Sequence, residues 1–285
     1  MANIRLIRRR IKGIQSTAKI SRAMEMIATL KMRRAQERGV AGRPYSEKIT
    51  QVLAALAALP QGEAPLHPLL QRRAVKKIAI IHITPDRGLC GGLNASLNRK
   101  AAGFMLGQGM LVTLVIVGRK GRDFMRRYGR DIRAEFTGIG DRPSLLDTLP
   151  ISRIIIDDYT SGLVDMAYLV YAQFVSTMVQ KPFMQQILPV EPAAIPGAQN
   201  VDYIYEPGPG VVLGELLPRF VEMQVYHAIL ESIASEQSAR MVAMRNATDN
   251  ANELIEELTL MYNKARQESI TKELLDITGG AAALA

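Results

Sequence analysis

Residues 219–278 read RFVEMQVYHAILESIASEQSARMVAMRNATDNANELIEELTLMYNKARQESITKELLDIT, sixty residues without a glycine or a proline. Stepping from Phe220 by three and four gives Phe220, Met223, His227, Leu230, Ala234, Gln237, Met241, Met244, Thr248, Ala251, Ile255, Leu258, Tyr262 and Ala265. That periodicity is a heptad seam. Ala, Thr and Gln stand where a two-stranded zipper places Leu and Ile, so the partner helix must approach closely along a thin contact. At about 1.5 Å per residue the helix reaches roughly 90 Å. No core built from this chain covers such a length, so the helix needs a second helix alongside it and other proteins around it.

The other end of the chain offers that second helix. Ile4, Ile7, Ile11, Ile14 and Ala18 repeat the three-four spacing, and Met24, Ile27 or Ala28, Met32 and Ala35 continue the stripe with some drift. Gly39, Gly42 and Pro44 predict a bend or break near residue 44, because proline removes a backbone donor and crowds the preceding turn. Val52 to Leu59 resumes the helical run, and Pro60 with Gly62 closes it.

Charge supports the pairing. The net charge of +9 is carried unevenly: residues 1–59 hold thirteen Lys/Arg against three Glu, and residues 219–278 hold six against ten Asp/Glu. Two helices of opposite charge favour each other. The cluster Arg5, Arg8, Arg9, Arg10 and Lys12 has three readings: a solvated or salt-bridged face, an acidic protein partner, or nucleic acid. With only 5% aromatic residues and no Trp, the chain is poorly equipped to stack single-stranded bases.

At 285 residues and 48% apolar content the chain can build one good core with an extension, or two domains. The longest apolar runs fall short of the roughly 20 residues of a membrane span, and the start Met-Ala-Asn-Ile-Arg has no apolar signal region. The expectation is a chain that stays inside the cell and does not insert in the membrane. A single cysteine, Cys90, excludes an internal disulfide.

Between the terminal helices the pattern changes. After a proline-marked linker, Lys77 to Thr84 is a β-branched run of the kind buried on both faces of a parallel sheet. A helix over Asn94 to Leu106, a strand over Leu111 to Val117, a helix over Lys120 to Tyr128 and a weak strand over Arg133 to Phe136 follow. Next come a helix near Ser144 to Leu149, a strand at Ile154 to Asp157, a long helix from Gly162 to Gln180 and a last strand at Gln186 to Val190. The alternation predicts a Rossmann-like, mostly parallel α/β sheet domain inserted between two coiled-coil helices. The predicted boundaries are 1–59 for the N-terminal helix, 60–74 for the linker, 75–200 for the sheet domain, 201–218 for a loop and 219–285 for the C-terminal helix and tip.

The turn containing Asp86, Arg87, Gly88, Leu89, Cys90, Gly91 and Gly92 sits where a dinucleotide fold keeps its phosphate loop. Its spacing is G-x-x-G-G rather than G-x-G-x-x-G, and the second strand ends in Gly118-Arg119-Lys120 with no carboxylate for a ribose. Structural glycines are the better reading. Cys90 acts as a nucleophile only with a base beside it, and His67, His82 and His227 fall in a linker, a strand and a seam. Neither a catalytic group nor a metal set is assembled by spacing. Tyr203, Tyr205 and Glu206 stand on a Pro/Gly-rich turn, as a domain cap or as an exposed tip for docking another protein.

Four blocks now stand in order along the chain: Ile20-Ser21-Arg22-Ala23-Met24-Glu25-Met26, Asp86 to Asn94, Ala234 to Met241 with Ala247 to Asn250, and Tyr262 to Thr271. Together they resemble the gamma subunit of F-type ATP synthases, end to end. The resemblance implies an antiparallel, left-handed coiled coil of the two terminal helices, acting as a non-catalytic central-stalk rotor without cofactor or metal. It implies one copy per complex, inside a ring of three alpha and three beta subunits, with the epsilon subunit and the ring of c subunits at the foot. The expected place is the cytoplasmic face of a bacterial plasma membrane, peripherally bound, with no nucleic-acid partner. By the same resemblance Arg266, Gln267, Arg240 and Met24 meet the beta subunits, Tyr203, Tyr205 and Glu206 belong to the foot on the c ring, and Arg87, Gly88, Cys90, Gly91 and Gly92 form the family's loop. Chloroplast members carry an extra segment with a thiol pair; this chain has only Cys90.

Overall fold

The computed structural model describes residues 4–58, 67–191 and 205–284. Its elements run α1 (Ile4–Ala58), β1 (Lys77–Ile83), α2 (Leu93–Gln108), β2 (Leu111–Val117), α3 (Arg119–Arg127), β3 (Ile132–Phe136), α4 (Leu145–Thr160), β4 (Met166–Phe174), β5 (Gln180–Leu188) and α5 (Pro209–Leu284). The chain divides into two compact units, one of residues 1–28 with 241–285 and one of residues 29–240.

The first unit is a pair of helical segments. Ile7, Ala18, Ser21 and Ala28 of α1 are buried with Met241, Met244, Thr248 and Ala251 of α5, and Ile255, Leu258, Tyr262 and Ala265 continue the line half-buried. The α5 seam is therefore the predicted one. On α1 the stripe does not drift: it runs Ile4, Ile7, Ile11, Ile14, Ala18, Ser21, Glu25, Ala28 in unbroken three-four steps, while Met24 and Ile27 are exposed. Polar residues at two core positions hid this line from an apolar count. Ser21 is small enough for the close contact, and Glu25 accepts Arg245 Nε–H at 2.9 Å across the pair. Arg8, Arg9, Arg10 and Lys12 stay exposed.

In the second unit a five-stranded sheet of order β3-β2-β1-β4-β5 is parallel except for β5. Successive side chains of β1 and β2 alternate between its faces. Ile81, Ile83, Val115 and Val117 meet α4, α1 and α5, and Ile78, Ile80, Leu114 and Ile116 meet α2 and α3. Residues 29–58 of α1 and 209–240 of α5 belong to this unit, with Ala35, Ile49, Leu53, Leu217, Val221 and Ala234 in the sheet's larger core. Within this unit Lys31 and Gln237 share the Asp141 carboxylate and Gly42 meets His227, so ascending α1 runs against descending α5, an antiparallel pairing.

Several expectations fail locally. Ile154 to Asp157 is helix, not strand: Ser144 caps α4 in a capping box with Asp147, and Ile151, Ile155 and Tyr159 bury one face at steps of four. The stretch 162–180 is β4 and a turn, not a helix; Ala167, Leu169, Val170 and Ala172 are buried between β1 and β5. The last strand begins at Gln180 rather than Gln186. Nor does α1 break at Pro44, although it passes through Gly39 and Gly42. A Cβ on Gly42 would lie 2.7 Å from His227 Cε1, so that glycine admits the imidazole. The C-terminal helix starts ten residues early, at Pro209, a residue suited to a first helical position. It continues through Pro218 because Leu213, Leu216, Leu217 and Val221 pack on the core.

His82, wholly buried on β1, faces Asn98 of α2 with Nε2 2.8 Å from Oδ1. Burial holds its imidazole down at about 4, against 6.5 for the free group, with Asn98 partly opposing the shift. Below pH 6.5 the unfolded chain therefore binds a proton that the folded chain refuses, and stability falls as pH drops from about 6.5 to about 4. Between pH 7.5 and pH 5 this amounts to about 2 kcal/mol. Urea unfolding of the chain and of His82→Leu at both pH values checks it: the variant loses about 2 kcal/mol less on acidification.

Candidate functional site

In a doubly wound sheet the crevice at the carboxyl ends of the strands, where the winding reverses, is where ligands bind. Here it lies between β1 and β4, above the turn Asp86–Gly92. That crevice is filled by α5. Ser232 Oγ accepts the N–H of Ala172 at 3.2 Å, Ser235 Oγ donates to the Ala172 carbonyl at 2.9 Å, and Ser238 Oγ donates to Thr177 O at 2.7 Å. The hydroxyls recur every three residues on one helix face and reach the end of β4 and its turn. Ala239 closes a small cluster with Cys90, Leu93, Leu97 and Ala172. Small and hydroxylated residues let the helix backbone lie close to the strand end, and each such bond contributes about 1 kcal/mol.

The glycine-rich turn holds the same helix from the other side. Arg240 is turned inward: its Nη2 donates to Gly88 O at 3.1 Å and to Glu236 Oε1 at 2.6 Å. Desolvation raises the Glu236 carboxyl above its usual range, and the Arg240 cation opposes it. Leu89 has φ 63 and lies exposed, and Gly91 has φ 58, where glycine carries no strain. Asp86 carries the turn outward: its carboxylate accepts the N–H groups of Arg119 at 3.0 Å and Gly138 at 2.9 Å, linking the ends of β1, β2 and β3. Asp141, beyond β3, takes Lys31 Nζ of α1 at 2.6 Å and Gln237 Nε2 of α5 at 3.4 Å. Strand ends and both long helices are thus bound to one loop cluster.

Cys90 is buried with Asn94 Nδ2 at 3.3 Å from its sulfur. Burial, then the Glu236 charge, pushes its thiol up, so it stays protonated and weakly nucleophilic. Of the other residues singled out from the sequence, Arg266, Gln267, Met24 and Arg87 are exposed, Glu206 is exposed and Tyr205 half-buried, and Tyr203 lies outside the described residues. Asp86, Glu236 and the serines of α5 were missed as site residues. Hydroxyls repeating at 232, 235 and 238 on one helix face are the signal that could have found the serines. Among the described residues no His/Cys/Asp/Glu group is gathered to hold a metal, and no helix is long and apolar enough to cross a membrane.

A family model described as ATP synthase matches residues 3–284. An ATP synthase gamma chain of Dehalococcoides mccartyi is 69% identical over 285 residues, all of both chains. The chain belongs to the ATP synthase gamma-chain family. A more distant member, the ATP synthase gamma chain of Chloroflexus aurantiacus, is 49% identical over 288 residues, 100% of this chain and 99% of its own. Among solved structures, a chain of the Euglena gracilis mitochondrial ATP synthase rotor aligns with TM-score 0.64 at 22% identity, over 94% of this chain and 98% of its own. A chain of the Tetrahymena thermophila mitochondrial central stalk and c ring aligns with TM-score 0.61 at 24% identity, over 80% and 99%. At those identities they show a shared fold. In this gamma chain the glycine-rich turn seats the long helix, through the Gly88 carbonyl and Arg240.

Proposed function

We propose that the chain is the central-stalk rotor of an F-type ATP synthase, transmitting rotation of a c ring to catalytic sites in a surrounding alpha/beta ring. The observation that carries this reading is the helix pair of the first unit. Its seam already buries Ile7, Ala18, Met241 and Met244, yet Ile20, Met24, Met26, Ile27, Leu260 and Met261 remain exposed on its outside. A helix pair apolar on its outer surface fits a protein sleeve. An asymmetric rod inside three chemically equal sites cannot touch them alike, so it favours a different state at each, and turning it permutes those states. The exposed Arg8, Arg9, Arg10 and Lys12 supply positive charge for acidic loops of that ring.

In this reading Met24, Arg266 and Gln267 contact the beta subunits from the outer face, opposite the Tyr262, Ala265 and Ser269 seam. Arg240 serves them indirectly, by holding the loop of Gly88. Tyr203, Tyr205 and Glu206 form part of the foot on the c ring, with epsilon beside it, and the chain sits peripherally on the cytoplasmic face of the membrane. One copy serves three alpha and three beta chains. Replacing Arg266 and Gln267 together by Ala is expected to lower proton-driven ATP synthesis of the reconstituted complex about tenfold, a change of about 1.4 kcal/mol. Circular dichroism of the isolated chain stays unchanged. Undiminished synthesis, or two copies of the chain per complex by native mass spectrometry, would overturn the proposal.

A further inference from the structure

The second unit contains a cleft of about 820 Å³ between α1, α5 and the outer strand β5. That is the size range of cavities that enclose drug-sized organic molecules. Its floor is apolar, with Leu53, Phe174, Leu217 and Phe220 among the lining groups. Its charged lining is of one sign. Glu47, Glu191 and Glu231 face it, and no Lys or Arg does among the described residues, although the chain carries 36 Lys+Arg against 27 Asp+Glu. Glu191 meets Arg72 at the rim, at 2.9 Å. Glu231 lines it from α5 near Tyr171, and His227 lies one turn before it on the same helix.

We propose that this cleft binds an amphiphilic organic cation, whose apolar body lies on Leu217 and Phe220 and whose ammonium group meets Glu231 and Glu47. Apolar burial supplies the affinity and the carboxylates select the sign of charge. Such a ligand touches α1, β5 and α5 together and fastens both long helices to the sheet. The inference is independent of the rotor reading, since it rests on the lining of one cleft.

Octyltrimethylammonium, octanoate and octanol, matched in chain length, test it by calorimetry on the full chain at pH 8, where a free imidazole is neutral. The ammonium is expected to bind at least tenfold more tightly than octanoate. Glu47→Gln with Glu231→Gln removes that preference and leaves octanol binding unchanged. A second measurement needs no variant: a nitroxide-bearing quaternary ammonium broadens the ring resonances of His227 and spares those of His82. Equal binding of octanoate, or equal broadening of the two histidines, overturns the proposal. So does exclusion of the probe from the purified assembly carrying the chain, which would make the cleft a subunit interface.

Discussion

Gly118→Ala is expected to destabilise the sheet-bearing unit by about 4 kcal/mol or more, lowering its melting temperature by about 10 °C. Gly118 ends β2 at φ 95 and ψ 145, a conformation outside the range of L side chains, and that strain alone costs about 1–3 kcal/mol. A methyl group there would also collide with the Thr84 carbonyl oxygen and lie 2.8 Å from its carbon. Thr84 cannot withdraw. Its N–H donates to Val117 O at 2.8 Å, and its hydroxyl donates to Val117 O at 3.1 Å and accepts Gly121 N–H at 2.8 Å. Gly118 N–H in turn holds Phe136 O at 2.8 Å, so the shift would propagate to β3. Gly103→Ala in α2, with nothing within 4 Å of the added methyl, is the matched control and should be neutral or slightly stabilising. Thermal unfolding followed by circular dichroism decides it; a loss below about 1 kcal/mol for Gly118→Ala would contradict the packing described.

Arg240→Met is expected to cost the isolated chain about 3 kcal/mol, because it strands Glu236 in a buried site and releases the Gly88 carbonyl. Both side chains of the pair are largely covered, at 13% and 16% exposure, so solvent does little to screen the loss. Adding Glu236→Gln should recover about half of it, since a neutral amide tolerates the site. Acidity supplies a further check. The Glu236 carboxyl is already held above its usual range by burial, so its folded form takes up a proton more readily than its unfolded form. Removing Arg240 raises it further. The penalty is therefore full at neutral pH and shrinks as pH falls toward the ordinary carboxylate range. Taking the variant against the parent at each pH cancels the opposite trend from His82. The chain alone contains no beta subunit, so a stability loss of this size would place the role of Arg240 inside the chain. A loss under about 0.5 kcal/mol would instead free Arg240 for a surface contact.

Much of the architecture was legible because it is local. A three-four repeat from Met241 to Ala265 can be counted without knowing its partner, and so can the opposite charges of the two ends. The β-branched runs at 77–83 and 111–117 named their strands for the same reason. Local signals failed where two states share one composition. Ile154-Ile155-Ile156 suits a buried strand or a buried helix face, and the Ser144 capping box with one packed face chose the helix. Met166 to Phe174 suits either as well, and the vacant place beside β1 made it a strand.

The candidate site lay beyond local reading, because its partners are far apart in sequence. Ser235 meets Ala172 across 63 residues and Arg240 meets Gly88 across 152. The sequence by itself determined two long amphipathic helices around a parallel sheet, since periodicity and side-chain branching act within a few residues. Only the tertiary structure decided that α5 fills the crevice a nucleotide would otherwise enter. That outcome depends on which distant groups satisfy the hydrogen bonds of a strand end, and long-range closure of the chain alone brings them together.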